Sequence, residues 1–343
     1  MSGRVPVVVT TPLEPELIQR LRGVDPRLDV VVPERLLAAP RYPSDHPLPE
    51  LGGTAGAEWE ELLDGAEVLF DFGPLELAST LAGRPRLRWI QATSAGVGRF
   101  AERLGLLRSD VTVTTASGVH ARPLAEFALL GMLLFGKRTL EILRDQRERH
   151  WERHAGEELR GKTVCVVGLG SIGREVARLA QTLDAHVVGT VRELRGRTAA
   201  DLGVDRIEPT DGIDALLPIA DVVVLATPHT PETHRLLDAR RIGLLKEGAI
   251  LVNVARGDVV DEGALVEALQ SGRLAGAALD VFEREPLPPE SPLWGLPNVL
   301  VSPHSASTVA AENARIVDLF CENLHRYLDG RPLLNVLDKE LLY

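Results

Sequence analysis

Three polar residues stand just past apolar runs in the second half of the chain. Arg256 follows Ile-Leu-Val-Asn-Val-Ala, Glu285 follows Ala-Ala-Leu-Asp-Val-Phe-Glu-Arg, and His304 follows Val-Leu-Val-Ser-Pro. If the runs are parallel strands, the three side chains share the C-terminal edge of one sheet, where open α/β proteins bind ligands. Their types form a chemical set. An imidazole titrates near neutral pH and can pass a proton. A carboxylate beside it can orient the ring and stabilise its charged form. A guanidinium can grip a carboxylate through two parallel hydrogen bonds and polarise a neighbouring carbonyl. That combination suits reduction of a 2-keto acid, with a separate carrier for the hydride. Singly, each residue has a plainer reading: a His after Pro is usually structural, Arg-Gly closes a turn, and Glu before Pro opens a loop. Their placement at successive strand ends favours the shared chemistry.

The carrier has its own signature. Thr163-Val-Cys-Val-Val-Gly168-Leu-Gly170-Ser-Ile-Gly173 reads as strand, turn and helix with a full G-x-G-x-x-G. Gly168 permits the tight turn, Gly170 lets a pyrophosphate approach the backbone, and Gly173 lets helix and strand pack closely. The helix start then offers N–H groups and a positive dipole to phosphate. The motif alone is weak evidence, but the flanking strand and helix pattern is the one it requires. At the tip of the next strand, where an Asp would select NAD, Val191 stands. Glu193 could still hold the ribose hydroxyls, whereas Arg192, Arg195 and Arg197 could hold a 2′-phosphate. The arginines could also be a solvated loop. The reading leans to NADP over NAD.

Elements must position these groups. Strands are expected at residues 5–9, 28–32, 67–70, 87–90 and 111–113, with helices at 15–22 and 58–63, the alternation of a parallel sheet with helical crossovers. Residues 39–56, rich in Pro and Gly, read as an irregular loop. One long helix is expected over 123–151, apolar nearly all round in 124–135 and so buried between domains, and charged in 137–153. A second series follows, with strands at 163–167, 186–190, 221–226, 249–254, 275–279 and 299–301 and helices at 172–183, 240–245 and 261–271. Six strands in that order fit a doubly wound sheet. Residues 309–328 read as a last helix. The nucleotide-binding domain therefore spans 119–305, and residues 1–118 with 306–343 form a discontinuous substrate-binding domain.

Composition narrows the function classes. The chain has 343 residues, too many for one comfortable core. Its 38 basic and 49 acidic residues give a net charge of −11, which disfavours nucleic acid and anionic membrane surfaces. Aromatics are only 4%, so Val, Leu, Ala and Ile must fill the core, as suits buried parallel strands. The two cysteines, Cys165 and Cys321, have no metal-ligand spacing and read as buried small hydrophobes in a reducing compartment. No metal site is expected. Nothing resembles a signal peptide, and the apolar run 128–135 is far short of a membrane span. A cytoplasmic location is expected.

Several stretches together resemble the D-isomer-specific 2-hydroxyacid dehydrogenase family, which includes glyoxylate/hydroxypyruvate reductases and phosphoglycerate dehydrogenases. They are Val252-Asn-Val-Ala-Arg256-Gly257, Leu279-Asp280-Val281-Phe282-x-x-Glu285-Pro286-Leu287, Ser302-Pro303-His304, Asp261-Glu-x-Ala-Leu-x-x-Ala-Leu-x-Ser-Gly, Thr227-Pro-His-Thr-Pro-Glu-Thr and the glycine turn. The likeness is dense from about Trp89 to Ala311 and thin before it. It implies an α/β protein of two Rossmann-like or flavodoxin-like domains with doubly wound parallel sheets, the cofactor and active site lying in the cleft between them. It implies that Arg256, Glu285 and His304 are the substrate-binding and acid–base residues. It places the nicotinamide amide against Asp280, and the rest of the cofactor along Gly168, Gly170, Ser171, Ile172, Gly173, Arg192, Thr227, Pro228, Thr233, Val254, Ala255 and His304. The substrate carboxylate would meet Arg256 and the backbone of Ala95, Gly96 and Val97, a loop of small residues suited to an anion. A homodimer is the family habit, for which Phe135, Trp151 and the charged half-helix are candidates.

Three other readings compete with this one. A formate- or phosphite-type oxidoreductase needs pocket residues that find no place here. A nucleotide sensor that binds NAD(H) without turnover shares the fold, but the intact Arg256, Glu285 and His304 argue against it. A phosphoglycerate dehydrogenase with a regulatory domain is disfavoured by a chain ending at Tyr343.

Overall fold

The computed structural model describes residues 4–49, 51–52 and 54–342. The start of the N-terminal segment, two positions of the expected 39–56 loop and Tyr343 lie outside the described residues. The chain divides into two compact units, residues 1–120 with 308–343, and residues 121–307.

The first unit carries β1 (Val5–Val9), β2 (Leu28–Val31), β3 (Val68–Phe70), β4 (Trp89–Gln91) and β5 (Thr112–Thr114). They form one sheet in the order β2-β1-β3-β4-β5, every pair parallel. This is the flavodoxin-like order, with its switch point between β1 and β3. The C-terminal helix Glu312–Leu328 belongs here because its apolar stripe needs this sheet. Phe320, fully buried, packs its ring 5.0 Å from Phe70 and 5.1 Å from Trp89.

The second unit carries β6 (Thr163–Val167), β7 (His186–Val191), β8 (Arg206–Pro209), β9 (Val222–Leu225), β10 (Ala249–Asn253), β11 (Leu274–Leu279) and β12 (Val299–Val301). The order is β12-β11-β10-β9-β6-β7-β8, again wholly parallel, with its switch point between β6 and β9. Seven strands form where six are expected. The extra strand, β8, reads Arg-Ile-Glu-Pro and hides its pattern in charge and proline, both tolerated at a sheet edge.

The long helix is two helices. Ala121–Gly136 ends where the Glu157 N–H donates to the Gly136 carbonyl at 2.7 Å, Arg138 turns left-handed at φ 54°, and Thr139–Glu148 runs on. Trp151 lies beyond both, almost fully exposed. The first of these helices is not buried on all sides either. It packs on helix Ser171–Gln181 and on β10 and β11, while Leu130 is half exposed.

The units meet two residues later than expected at each crossing, for local reasons. His120 bonds Glu312 at 2.8 Å and so stays with the first unit, whereas the Ala306 N–H donates to Asp280 at 2.9 Å and stays with the second. No described helix is long and apolar enough to cross a membrane. Burial pushes the Cys165 thiol up to about 12, so it is an inert core residue.

Gly131 shows how tightly the helix sits. A Cβ there would stand 2.8 Å from the Ala278 Cβ and 3.2 Å from a Val252 methyl. Gly131→Val gains only a few tenths of a kcal/mol in helix propensity and loses about 1–3 kcal/mol to overpacking. A drop of several degrees in the thermal midpoint is expected by calorimetry; an unchanged midpoint would mean the helix can retreat from the sheet.

Candidate active site

The glycine turn joins β6 to helix Ser171–Gln181. Gly168 has φ 97°, and a side chain there would strike the Ala226 carbonyl and the Thr227 backbone. Its N–H donates to the Thr190 hydroxyl at 3.1 Å, tying the turn to β7. A Cβ at Gly173 would lie 2.0 Å from the Gly168 carbonyl oxygen, so helix and turn touch through bare backbone. At Gly170, by contrast, a Cβ would meet nothing within 4 Å. The helix start has no side-chain cap, so its first N–H groups, at Ser171, Ile172 and Gly173, remain for a ligand. Open space over uncapped donors fits a dinucleotide pyrophosphate.

Around the turn, the other expected cofactor residues take different parts. The Thr233 hydroxyl donates to the Pro228 carbonyl at 2.7 Å and accepts the Thr230 N–H, so it shapes the loop after β9 that carries Thr227 and exposed Pro228. Val254 and Ala255 are buried in the core; the Val254 N–H donates to the Leu225 carbonyl at 3.2 Å, and the Ala255 carbonyl accepts from the Arg256 guanidinium at 2.6 Å. Val191 ends β7 inside the core, and Arg192 is the first exposed residue beyond it. Glu193 already bonds Arg195 at 2.9 Å, a contact that leads the causes lowering its pKa, and its carbonyl holds Arg197.

The three chemical residues sit past β10, β11 and β12, and the structure brings them together. His304 Nδ1 lies 2.7 Å from Glu285 Oε2. The other carboxylate oxygen accepts the Phe282 N–H at 3.0 Å. Partial burial by itself would raise the Glu285 pKa, but the His304 hydrogen bond, the Phe282 N–H and the nearby charges of His304 and Arg256 outweigh it. The carboxyl is held below its ordinary value and is ionised at neutral pH. Arg256 is largely desolvated, which lowers its pKa against the pull of Glu285 and Asp280, though a guanidinium stays charged. Gly257 explains how the loops close on each other. A Cβ there would stand 1.9 Å from the Phe282 carbonyl carbon. Only glycine lets the Arg256 loop lie against the Glu285 loop.

Sequence reasoning missed the supports. Asp280 is 1% exposed, and its Oδ1 accepts the Ser302 hydroxyl at 2.6 Å and the Ser305 and Ala306 N–H groups at 2.9 Å each. It thus clamps the backbone on both sides of His304, which adopts a left-handed φ of 52°. Burial raises the Asp280 pKa, and those donors work against the rise. Asn253 does similar work for Arg256: its Oδ1 accepts the Ala255 N–H at 3.0 Å and its Nδ2 donates to the Arg256 carbonyl. The resemblance assigns Asp280 to the nicotinamide amide and Asn253 to no role; both lie inside the motifs that carry Glu285 and Arg256, and that position is the signal for them. Ala95, Gly96 and Val97 lie in the first unit after β4, where the Ser94 carbonyl accepts the Ala116 N–H and Val97 is buried. Asp145, Glu152 and His154 could converge on a metal ion. However, His154 already bonds Asp145 at 2.7 Å and Arg144 bonds its other oxygen, so the group is a satisfied ion-pair knot.

Comparison with known proteins decides the family. A family model for the D-isomer specific 2-hydroxyacid dehydrogenase NAD binding domain matches residues 129–306. A glyoxylate reductase of Thermofilum pendens is 35% identical over 271 residues, covering 77% of this chain and 79% of its own. The chain belongs to the D-isomer specific 2-hydroxyacid dehydrogenase family. It is accordingly an NAD(P)-dependent oxidoreductase acting on CH–OH groups. Among solved structures, a D-isomer specific 2-hydroxyacid dehydrogenase from Xanthobacter autotrophicus, in complex with NADPH, is 31% identical with a TM-score of 0.77 over 98% of this chain and all of its own. An NADPH-dependent glyoxylate/hydroxypyruvate reductase from Sinorhizobium meliloti, in complex with NADP, is 26% identical with a TM-score of 0.77 over 99% of this chain and all of its own.

For this dehydrogenase the Asp280 clamp is directly testable. Asp280→Ala leaves three donors without their shared acceptor and frees the His304 backbone. We expect about 1–3 kcal/mol of lost stability per group left buried and unpaired, moderated by relaxation of the loop, together with a fall in turnover. Denaturant unfolding beside steady-state kinetics would check it, and native stability in the variant would remove Asp280 as the clamp.

Proposed function

We propose that the protein reduces small 2-keto acids of the glyoxylate and hydroxypyruvate type to D-2-hydroxy acids, with Arg256, Glu285 and His304 as its chemical residues. The observation that carries this reading is the 2.7 Å bond between His304 Nδ1 and Glu285 Oε2. With Nδ1–H donated to an ionised carboxylate, Nε2 is the nitrogen left to exchange a proton with substrate. When bound, the reduced nicotinamide supplies the hydride that the carbonyl carbon accepts. His304 then delivers its Nε2 proton to the carbonyl oxygen, and Glu285 stabilises the imidazolium that exists before transfer. Arg256 grips the substrate carboxylate and draws charge towards the carbonyl oxygen. Ala95, Gly96 and Val97 offer backbone N–H groups to the same carboxylate.

The cofactor would lie on Gly168, Gly170, Ser171, Ile172 and Gly173 and along Thr227, Pro228, Thr233, Val254, Ala255 and Asp280. NADP is the favoured form. Val191 leaves no carboxylate at the end of β7 to hold a ribose diol, Glu193 is engaged by Arg195, and the two solved relatives described above were crystallised with NADPH or NADP. A homodimer suits the exposed apolar side chains Leu130, Ile142, Leu143 and Trp151 along one stretch of the second unit, and a cytoplasmic setting suits the inert Cys165.

The first assay is loss of reduced-nicotinamide absorbance with glyoxylate, hydroxypyruvate and pyruvate, each with NADPH and NADH. Turnover is expected, and His304→Ala should lower it roughly 100-fold or more, the usual size of a general-acid effect. Undiminished turnover in that variant would remove His304 from the chemistry. Arg192→Ala should weaken NADPH roughly tenfold more than NADH, the loss of one charge-assisted hydrogen bond. Equal weakening of both would make Arg192 a bystander.

A further inference from the structure

The loop that carries Ala95, Gly96 and Val97 is exposed at Ser94 and Gly96 and buried at its two ends, Thr93 and Val97. Within the first unit, both ends are held by the C-terminal tail. β5 is the edge of its sheet, and the tail covers that edge. Val336 pairs antiparallel with Thr114, the Thr115 N–H donates to the Asn335 carbonyl at 2.9 Å, and the Leu337 N–H donates to the Val113 carbonyl at 2.8 Å. Residues of β5 and just beyond it in turn hold the loop: the Thr114 carbonyl accepts the Ala92 N–H, and the Ala116 N–H donates to the Ser94 carbonyl. A second path runs through two fully buried amides. Asn323, on helix Glu312–Leu328, accepts the Leu334 N–H at 2.7 Å and donates to Gln91 Oε1 at 3.2 Å. Gln91 Nε2 then donates to the Ala92 carbonyl at 2.9 Å, where the loop begins.

At the far end the tail meets the loop directly. Asp338 Oδ1 accepts the Glu340 and Leu341 N–H groups at 2.9 Å each, and the Asp338 carbonyl accepts the Leu342 N–H at 2.8 Å. Lys339 anchors that turn by donating to the Ser109 carbonyl at 2.7 Å. Leu342 is thereby seated on Gly98, the buried first residue of helix Gly98–Arg103. A Cβ at Gly98 would overlap the Leu342 carbonyl oxygen and stand 2.7 Å from the Leu342 Cβ, and its three nearest atoms all belong to Leu342. The backbone there is helical, so it is the tail and not the conformation that requires glycine. We propose that residues 334–342 are a positioning strap, closed by the Gly98–Leu342 contact, that keeps the Ala95-Gly96-Val97 N–H groups in place for the substrate carboxylate. The strap rests on the proposed keto-acid reduction and names what orders its carboxylate loop. A loop of small exposed residues that is ordered beforehand does not lose that freedom on binding. The carboxylate is held alike in substrate and transition state, so a loosened loop raises KM and spares kcat.

The test ends the chain after Glu340 and, separately, makes Gly98→Ala. Each change should raise the KM for glyoxylate roughly tenfold, the worth of one charge-assisted hydrogen bond. Both kcat and the KM for NADPH should stay within about twofold of the full chain. Amide hydrogen exchange of residues 92–98 should quicken in both variants, while exchange in β6 stays slow. Gly98→Ala in the shortened chain should add nothing further, because the Leu342 atoms it would strike are gone. Cooperative melting of each variant separates folding damage from loosening, and if one variant fails to fold the other still reads exchange and KM. Unchanged loop exchange overturns the strap. Effects that multiply in the double variant part Gly98 from the tail and overturn it as well. Faster exchange with an unaltered KM overturns the loop's part in holding substrate. A full-length enzyme inert towards keto acids overturns the reduction itself, and the exchange measurement still decides the strap.

Discussion

The candidate site hangs on one buried carboxylate. Asp280 leaves β11 with a single oxygen accepting from Ser302, Ser305 and Ala306, donors that lie on either side of His304. A chain turning left-handed at a non-glycine residue does not stay there unaided, since the conformation costs of order 1–3 kcal/mol and must be imposed by its surroundings. Here three charge-assisted hydrogen bonds in a dry setting impose it. The imidazole is thereby delivered to Glu285, whose own carboxylate is fixed by the Phe282 N–H. Without the clamp the ring would have a partner but no fixed direction.

The same economy runs through the backbone contacts. Gly257 against Phe282 and Gly173 against Gly168 are places where two loops approach so closely that a methyl group would overlap main chain. Both contacts lie at the C-terminal edge of the seven-stranded sheet, one under the chemical residues and one under the phosphate turn. The sheet sets the spacing of its strand ends, and the glycines let the loops beyond them close to hydrogen-bond distance. Side chains of the right type on looser loops would not meet.

Much of the second unit was legible because parallel strands buried on both faces are continuous apolar runs. Six of its seven strands could be found that way, and each chemical residue follows one of them. The failures have physical causes. The edge strand β8 is charged and ends in proline, so its pattern is that of a loop. The long helix breaks at Gly136 because a distant segment, Gly156–Glu157, crosses its end and takes its carbonyl, a tertiary contact that periodicity does not record. Asn253 and Asp280 were visible as motif members, but their work as clamps depends on which N–H groups the fold aims at them. In the first unit the strands could be read while the contact of the C-terminal tail with Gly98 could not, since its members are separated by long stretches and each, alone, is an ordinary loop residue.

The proposed preference for NADP rests on a different balance. The end of β7 spends its polar capacity inward: Thr190 accepts the Gly168 N–H, and Val191 joins the core. In the proposed preference for NADP, discrimination at the ribose falls one residue outward, on Arg192 and Glu193 in solvent. There the charges of Glu193 and Glu232 already fall near Arg192. Exposed pairs of this kind are screened and contribute little, so a 2′-phosphate carrying close to two charges can displace them at small cost. A ribose diol, by contrast, needs an acceptor that is not already engaged, and Glu193 is bonded to Arg195. The asymmetry lies in the competition. The phosphate has to outbid weak carboxylate contacts for an arginine, whereas the diol has to outbid an arginine for a carboxylate, and a neutral hydroxyl is the poorer competitor.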